Sequence, residues 1–351
     1  MITELLYSFL IIILFSLFFY FYNKEKKNSH LNEELQKIIP VNFLKKLKKK
    51  KKIETNNIIS IILLNDKKKL ATIESDYYIY IYKLDIYSIF QKIELHNSNI
   101  HYLTQFKNNF LAACVSDNIN IYSIDNNLKF NLYKKLKGHE SDVFKVIESK
   151  KKDSLISVDY DKKIIVWKYY NNEYSISTII VDNDFVENLI FTDNNETIFV
   201  VTYNQNDYIC FYDINLLIKI HTINDIKKTH NYYNLLKFQD YLFIGGKDNT
   251  IYIIDLNSYV IHYKYEYSHD NIISYIECIE IVEYKNKNII LAGDEDGNLI
   301  EYQFNQSNGT IKFIDIKEEI FDNNILSIIS CINDNKIFVV SENIKIFEIE
   351  K

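Results

Sequence analysis

The chain has 351 residues, of which 47% are apolar and 15% aromatic, with one proline, six glycines and a net charge of −6. That is enough apolar material for one large domain or two ordinary ones, and aromatics that are mostly Tyr and Phe suit strands more than helices. All 41 basic residues are lysines; from Asn57 onward thirty lysines face forty-two acidic residues, a net of −12 that counts against nucleic-acid recognition by this part of the chain.

Leu5 to Tyr22 is a run of 18 residues without a charge, long enough to cross a hydrocarbon core as a helix. Tyr20 and Tyr22 sit where an interfacial aromatic belt would lie. The rival reading is a cleaved signal peptide, which normally has a basic start and a small-residue cleavage site. This chain begins Met1–Ile2–Thr3–Glu4 and has no such site, so residues 1–22 are expected to be an uncleaved transmembrane anchor. No lysine precedes the run, whereas Lys24, Lys26 and Lys27 follow it. The lysine asymmetry predicts that everything after Asn23 lies in the cytosol.

Residues 23–50 are expected to form a lysine-rich linker. Leu31, Leu35, Ile38 and Ile39 share one helical face before Pro40, which predicts a short amphipathic helix. Phe43, Leu44, Lys45, Lys46 and Leu47 follow, and then Lys48, Lys49, Lys50, Lys51 and Lys52. Three readings of this run stay open. The lysines attract anionic lipid while Phe43, Leu44 and Leu47 dip into the interface; the run is a solvated linker; or it contacts RNA or a ribosome.

From residue 51 the chain reads as short strands and tight turns. Gly138 to Tyr169 is the clearest stretch: Val143–Ile147, Leu155–Val158 and Ile164–Trp167 are apolar runs of strand length separated by polar turns. The strand-end position of Trp167 recurs as Tyr82, Tyr122, Tyr212, Ile254, Tyr302 and Phe347, in steps of 40, 45, 45, 42, 48 and 45 residues. An aspartate six positions before that residue recurs as Asp76, Asp161, Asp248 and Asp296. His96, His230 and His269 echo the place of His139.

This pattern resembles the WD repeat: Gly138–His139 matches its Gly-His start, Ser157 its strand hydroxyl, Asp161 its turn aspartate and Trp167 its strand-end tryptophan. The resemblance implies an all-β, seven-bladed β-propeller over residues 51–351, in which His139, Ser157, Asp161 and Trp167 form a hydrogen-bonded structural set within one blade. A catalytic His139–Asp161–Ser157 triad is the alternative, disfavoured because the serine would be buried under blade packing. The seventh blade runs out of chain after its third strand. Ring closure is therefore expected to take its outer strand from Lys51–Asn56, with Lys52–Ile53–Glu54–Thr55 paired to Lys345–Ile346–Phe347.

No phosphate-binding, metalloprotease or nucleophile-elbow motif is present, and no cofactor or metal is expected. Cys114, Cys210, Cys278 and Cys331 fall in different blades and read as buried free thiols. The expected function is non-enzymatic: a scaffold binding other proteins through propeller loops, with Lys145, Tyr232 and Tyr233 as candidate contacts. The layout of an N-terminal anchor before a WD-type propeller is similar to the transducin-beta-like proteins of the endoplasmic reticulum, which implies that address. The alternative class is a guanine-nucleotide exchange factor for a small GTPase in vesicle traffic, by likeness to a membrane-bound WD-type propeller whose anchor is C-terminal.

Overall fold

The computed structural model describes residues 42–96, 98–149, 151, 153–170, 173–182, 185–203, 208–224, 232–246, 250–266, 275–285, 287–331 and 334–350. The Leu5–Tyr22 run, the amphipathic stretch before Pro40, and Asp248, His230 and His269 lie outside them. Among the described residues no helix is long and apolar enough to cross a membrane.

Runs rich in Ile, Val, Tyr and Phe form strands, because branched and aromatic side chains pack well on a pleated surface. These strands build seven antiparallel four-stranded sheets. The first strands of successive sheets are Ile58–Leu63, Ile100–Gln105, Val143–Ser149, Val186–Phe191, Tyr232–Phe238, Ile276–Tyr284 and Ser327–Cys331. Each lies beside the next, and the seventh lies beside the first, so they form an inner ring. The sheets radiate from that ring as the blades of a seven-bladed β-propeller.

Seven apolar clusters fill the spaces between adjacent blades. In blade three, Leu155, Ile165 and Trp167 pack toward blade two with Phe106 and Ile119. Ile156, Ile164 and Val166 pack toward blade four with Phe199 and Tyr212. Successive side chains on a strand point to opposite faces, and here both faces are covered. That is why the central strands are continuous apolar runs rather than alternating ones.

The repeating strand-end residue is buried in every blade: Tyr82, Tyr122, Trp167, Tyr212, Ile254, Tyr302 and Phe347. Each sits at a register shift in the pairing of third and outer strands. The bulge inserts one extra outer-strand residue at the same place in each blade and twists the sheet there. With few glycines to use, the turns place seventeen described non-glycine residues in the left-handed region, among them Tyr77, Leu128 and Lys162. Gly297 is a turn that requires glycine: its φ is +80°, and a Cβ there would come within 2.1 Å of the Phe321 carbonyl oxygen.

The ring closes with a strand from before the first blade. Blade seven takes Leu47–Ile53 as its outer strand, antiparallel to Ile344–Ile349, with Lys52 opposite Lys345 and Ile53 opposite Ile344. The closing strand starts earlier than expected, so the propeller begins before residue 51 and Lys45–Lys50 are not linker. Phe43, Leu44 and Leu47 are 0%, 2% and 4% exposed. They pack with Val282, Ile289, Phe347 and Ile349 in the cluster between blades six and seven. Burying side chains of this size stabilises by roughly 1.5–3 kcal/mol each, which fixes the segment to the ring and removes these three residues from any membrane interface.

Candidate functional site

Blade three holds the expected polar set with one change of membership. His139 Nδ1 lies 2.7 Å from Asp159 Oδ2, and its Nε2 lies 2.6 Å from Ser157 Oγ. Trp167 Nε1 donates to the same Ser157 Oγ at 2.8 Å. A carboxylate can only accept, so His139 Nδ1–H donates to Asp159, and with the ring neutral Nε2 then accepts the Ser157 hydroxyl, whose oxygen accepts from Trp167. Asp161, expected to be the carboxylate of this set, is exposed in the turn. Asp159 replaces it because a residue two positions earlier is still on the strand and points inward. Its second oxygen also accepts the Lys163 amide at 2.9 Å, so one carboxylate orients the histidine and caps the turn. Gly138 lets the backbone lie on this set: a Cβ there would fall 2.9 Å from the Trp167 ring.

Ser157, His139 and Asp159 thus stand in the order of a catalytic triad. Ser157 and Asp159 are fully buried, His139 is 6% exposed, and the serine oxygen is engaged by Trp167. A substrate carbonyl has no route to that oxygen, and the arrangement holds the blade together.

Other blades solve the same problem with a phenol. In blade one Tyr82 Oη donates to Glu74 Oε1 at 2.7 Å, and Thr72 Oγ1 donates to the same oxygen at 2.9 Å. In blade four Tyr212 Oη donates to Asp182, which occupies the place of His139. In blade two Val115 and Ala113 stand where blade three has Asp159 and Ser157, so His96 meets neither carboxylate nor hydroxyl there and turns out to solvent. Asp76 and Asp296 lie in turns; Asp76 accepts the Tyr80 hydroxyl at 2.5 Å, and Asp296 is exposed.

Blade six carries a carboxylate that sequence reading passed over. Glu301 stands just before Tyr302, where other blades have Ile81, Ile121, Val166, Phe211, Ile253 and Ile346. It is 1% exposed and accepts the backbone amides of Phe43 at 3.0 Å and Leu44 at 2.9 Å. These amides open the short 3-10 turn Leu44–Lys46, where they precede the first turn bond, from the Lys46 amide to the Phe43 carbonyl at 2.8 Å, and so need an outside acceptor. Burial raises the Glu301 carboxyl to about 7, opposed by the two amide bonds that hold it down. The visible signal was a charge interrupting an apolar third strand.

The face made by the loops entering the inner strands carries a partly exposed aromatic group on blades two to four. Tyr160 stacks on Phe185 with ring centroids 4.8 Å apart and planes within 5°. Phe144 meets Tyr160 at 5.7 Å and Phe185 at 5.5 Å, and His101 meets Tyr160 at 5.2 Å. Tyr160 is 42% exposed. Asp142 borders the group: its Oδ2 accepts Asn99 Nδ2 at 2.8 Å and lies 3.6 Å from His101 Nε2. Burial, and then Asp142, push the Tyr160 phenol up, so it stays a neutral donor. Asp117, Glu140 and Asp161 are exposed in the loops and turns of blades two and three. Aromatic rings beside a carboxylate favour a positively charged group.

Lys145, expected to face a partner, instead turns into the ring. Its ammonium donates to Asn188 of the next blade and lies 5.0 Å from the Tyr102 ring centroid. Burial brings it down to about 8. Tyr232 and Tyr233 belong to the inner strand of blade five, and their side chains lie outside the described residues. The four cysteines are buried and free. Lys48–Lys52 are exposed on the closing strand.

The fold defines a seven-bladed β-propeller, and its blade geometry is consistent with the WD-repeat type. No family model matches the chain, and no curated protein matches it significantly.

Proposed function

We propose that this protein is a non-enzymatic, membrane-tethered scaffold of the WD-repeat type. It takes a cationic segment of a partner protein onto the face built by blades two to four. The aromatic group Tyr160, Phe185, Phe144 and His101 beside Asp142 carries the reading. A lysine or arginine side chain seated there gains cation–π attraction and a carboxylate partner, together on the order of 1–2 kcal/mol in a partly desolvated site. The net of −12 from Asn57 onward steers basic partners toward it. The charge-free run Leu5–Tyr22 supports an anchor, and the lysines after it support a cytosolic propeller on an endomembrane such as the endoplasmic reticulum.

The test uses the full chain in neutral-lipid nanodiscs and labelled peptides of matched length, lysine-rich or glutamate-rich, with binding read by fluorescence anisotropy. Lysine-rich peptides bind more tightly, and Tyr160→Ala and Asp142→Asn each weaken them about three- to tenfold. Equal binding of the two peptide classes, or variants that bind like wild type, sinks the proposal. Protease protection in sealed microsomes checks the side: a C-terminus shielded from protease overturns the cytosolic orientation.

A further inference from the structure

The outer strand of blade seven presents five consecutive lysines, Lys48–Lys52, pinned at both ends by the buried side chains of Leu47 and Ile53. We propose that this rim, with Lys345 and Lys317, is a docking surface for an anionic lipid bilayer. The inference rests on the anchor proposed above and concerns a different part of the ring from the aromatic face.

The rim gathers like charges that folding alone would keep apart. Lys52 lies directly across the ladder from Lys345, and lysines so placed repel. Lys49 and Lys52 both depress the Lys345 ammonium, after burial, which is the larger cause. Lys317, from the outer strand of blade six, reaches over to donate to the Leu47 carbonyl at 3.2 Å and lies 5.4 Å from the Phe347 ring centroid. On the side toward blade one, Lys51 of the closing strand and Lys336 of the strand Lys336–Val340 share the ring of Tyr87 at 4.9 and 5.4 Å.

Internal counter-charges cover only part of this. Lys48 pairs with Glu350, Lys50 with Glu348 and Lys52 with Glu54, while Asp322 is the acid that acts on Lys345. Among the described residues Lys49 and Lys51 have no carboxylate within 4.0 Å.

Edge protection does not account for the run. Lysine on an exposed edge strand discourages pairing with other chains. The other outer strands carry from none, in Glu173–Val181, to three, in Phe130–Lys137, and none of them carries more than two in succession. Five in succession, reinforced by Lys345 from the neighbouring strand, match a planar anionic surface better than an edge guard.

The bilayer is the occupant the chain itself brings near. About twenty residues separate Tyr22 from Phe43, a reach of at most roughly 70 Å fully extended, so the rim can lie against the headgroups of an anchored chain. Each lysine held within a Debye length, about 8 Å at physiological salt, then adds attraction to anionic lipid. Phe43, Leu44 and Leu47 take no part, being committed to the core. The contact is electrostatic and reversible, and it sets the ring on its side relative to the bilayer.

The experiment compares amine-acylation rates, read by mass spectrometry, on the full chain in nanodiscs of phosphatidylcholine alone or with added phosphatidylserine. Lys49, Lys51, Lys52 and Lys345 label at least about threefold more slowly in the anionic bilayer, and high salt removes the difference. Lys129, exposed on another blade, labels equally in both. In a Lys49→Gln, Lys52→Gln, Lys345→Gln variant, Lys51 loses its protection; all three positions are at least partly exposed, so the fold persists. Equal rates in the two bilayers overturn the proposal, as does stronger protection by added single-stranded RNA in the neutral nanodisc. Entry into the nanodisc reads the anchor separately. If the chain does not enter, the same labelling with anionic vesicles added decides the rim by the same criterion.

Discussion

Glu301 gives the sharpest test of how the ring is closed. Its carboxyl is buried in blade six, yet it caps a segment 258 residues earlier in sequence. Burial raises it from 4.5 to about 7 despite two amide donors. The sign follows from linkage: between these values the unfolded chain has ionised while the folded chain still holds the proton. The stabilisation is therefore fully present below about pH 4.5 and lost as pH rises through 7. A difference of about 2.5 pH units corresponds to about 3 kcal/mol. Glu301→Gln removes the titration and keeps the shape. Urea unfolding followed by the single, buried Trp167 should then show wild type losing about 3 kcal/mol relative to the variant between pH 4.5 and 7, with no further change above. Exchange protection of the Phe43 and Leu44 amides, corrected for intrinsic rates, should fall in the same window. A difference that stays flat means burial does not outweigh the two amide bonds. A difference that grows in favour of wild type means the two amides outweigh burial and hold the carboxyl below its ordinary value.

Two further outcomes follow from the blade geometry. Asp159→Ala leaves His139 Nδ1–H and the Lys163 amide without their acceptor and should cost roughly 2–4 kcal/mol, whereas Asp161→Ala should stay within about 0.5 kcal/mol; urea midpoints of the two variants decide which aspartate belongs to the set. Leu128 is exposed and held at φ 61°, a conformation that costs a branched residue roughly 1–2 kcal/mol, so Leu128→Gly should be neutral to stabilising by up to about 1 kcal/mol, seen as a higher thermal midpoint.

The ring was legible in the sequence because its most repetitive feature is also its most buried one. Tyr82, Tyr122, Trp167, Tyr212, Ile254, Tyr302 and Phe347 all pack between blades, so each must be large and apolar, and their spacing counts the blades. Closure was legible for a related reason: a seventh blade ending at Ile349 needs a fourth strand, and the residues before the first blade supply it. The start of that strand was misplaced because lysines are poor strand formers on average. On an outer strand, however, backbone pairing to one neighbour suffices and the side chains remain in water. Val143–Ile147 and Leu155–Val158 were readable for the same reason as the ring, since continuous apolar runs bounded by polar turns leave little else to form.

The polar contacts were less legible, and the blades show why. The route from the strand-end donor to the buried carboxylate differs from blade to blade. Trp167 presents an indole N–H that reaches a serine, so blade three needs His139 to relay the contact to Asp159. Tyr82 presents a hydroxyl one atom beyond its ring, which reaches Glu74 directly and makes a histidine unnecessary. Tyr212 reaches the other way, to Asp182 in the loop that enters its blade. Glu74 stands eight positions before Tyr82, as Asp159 does before Trp167, so the acid keeps its strand position there and shifts to the loop only in blade four, whereas a search for aspartate six positions before the strand end finds turn residues such as Asp76, Asp161 and Asp296. Glu301 escapes any such search, because its partners are the amides of Phe43 and Leu44, brought to it only by the closing of the ring. Local spacing therefore reads the blades one at a time, whereas the groups that bind the ring into one piece are set by pairs of residues distant in sequence.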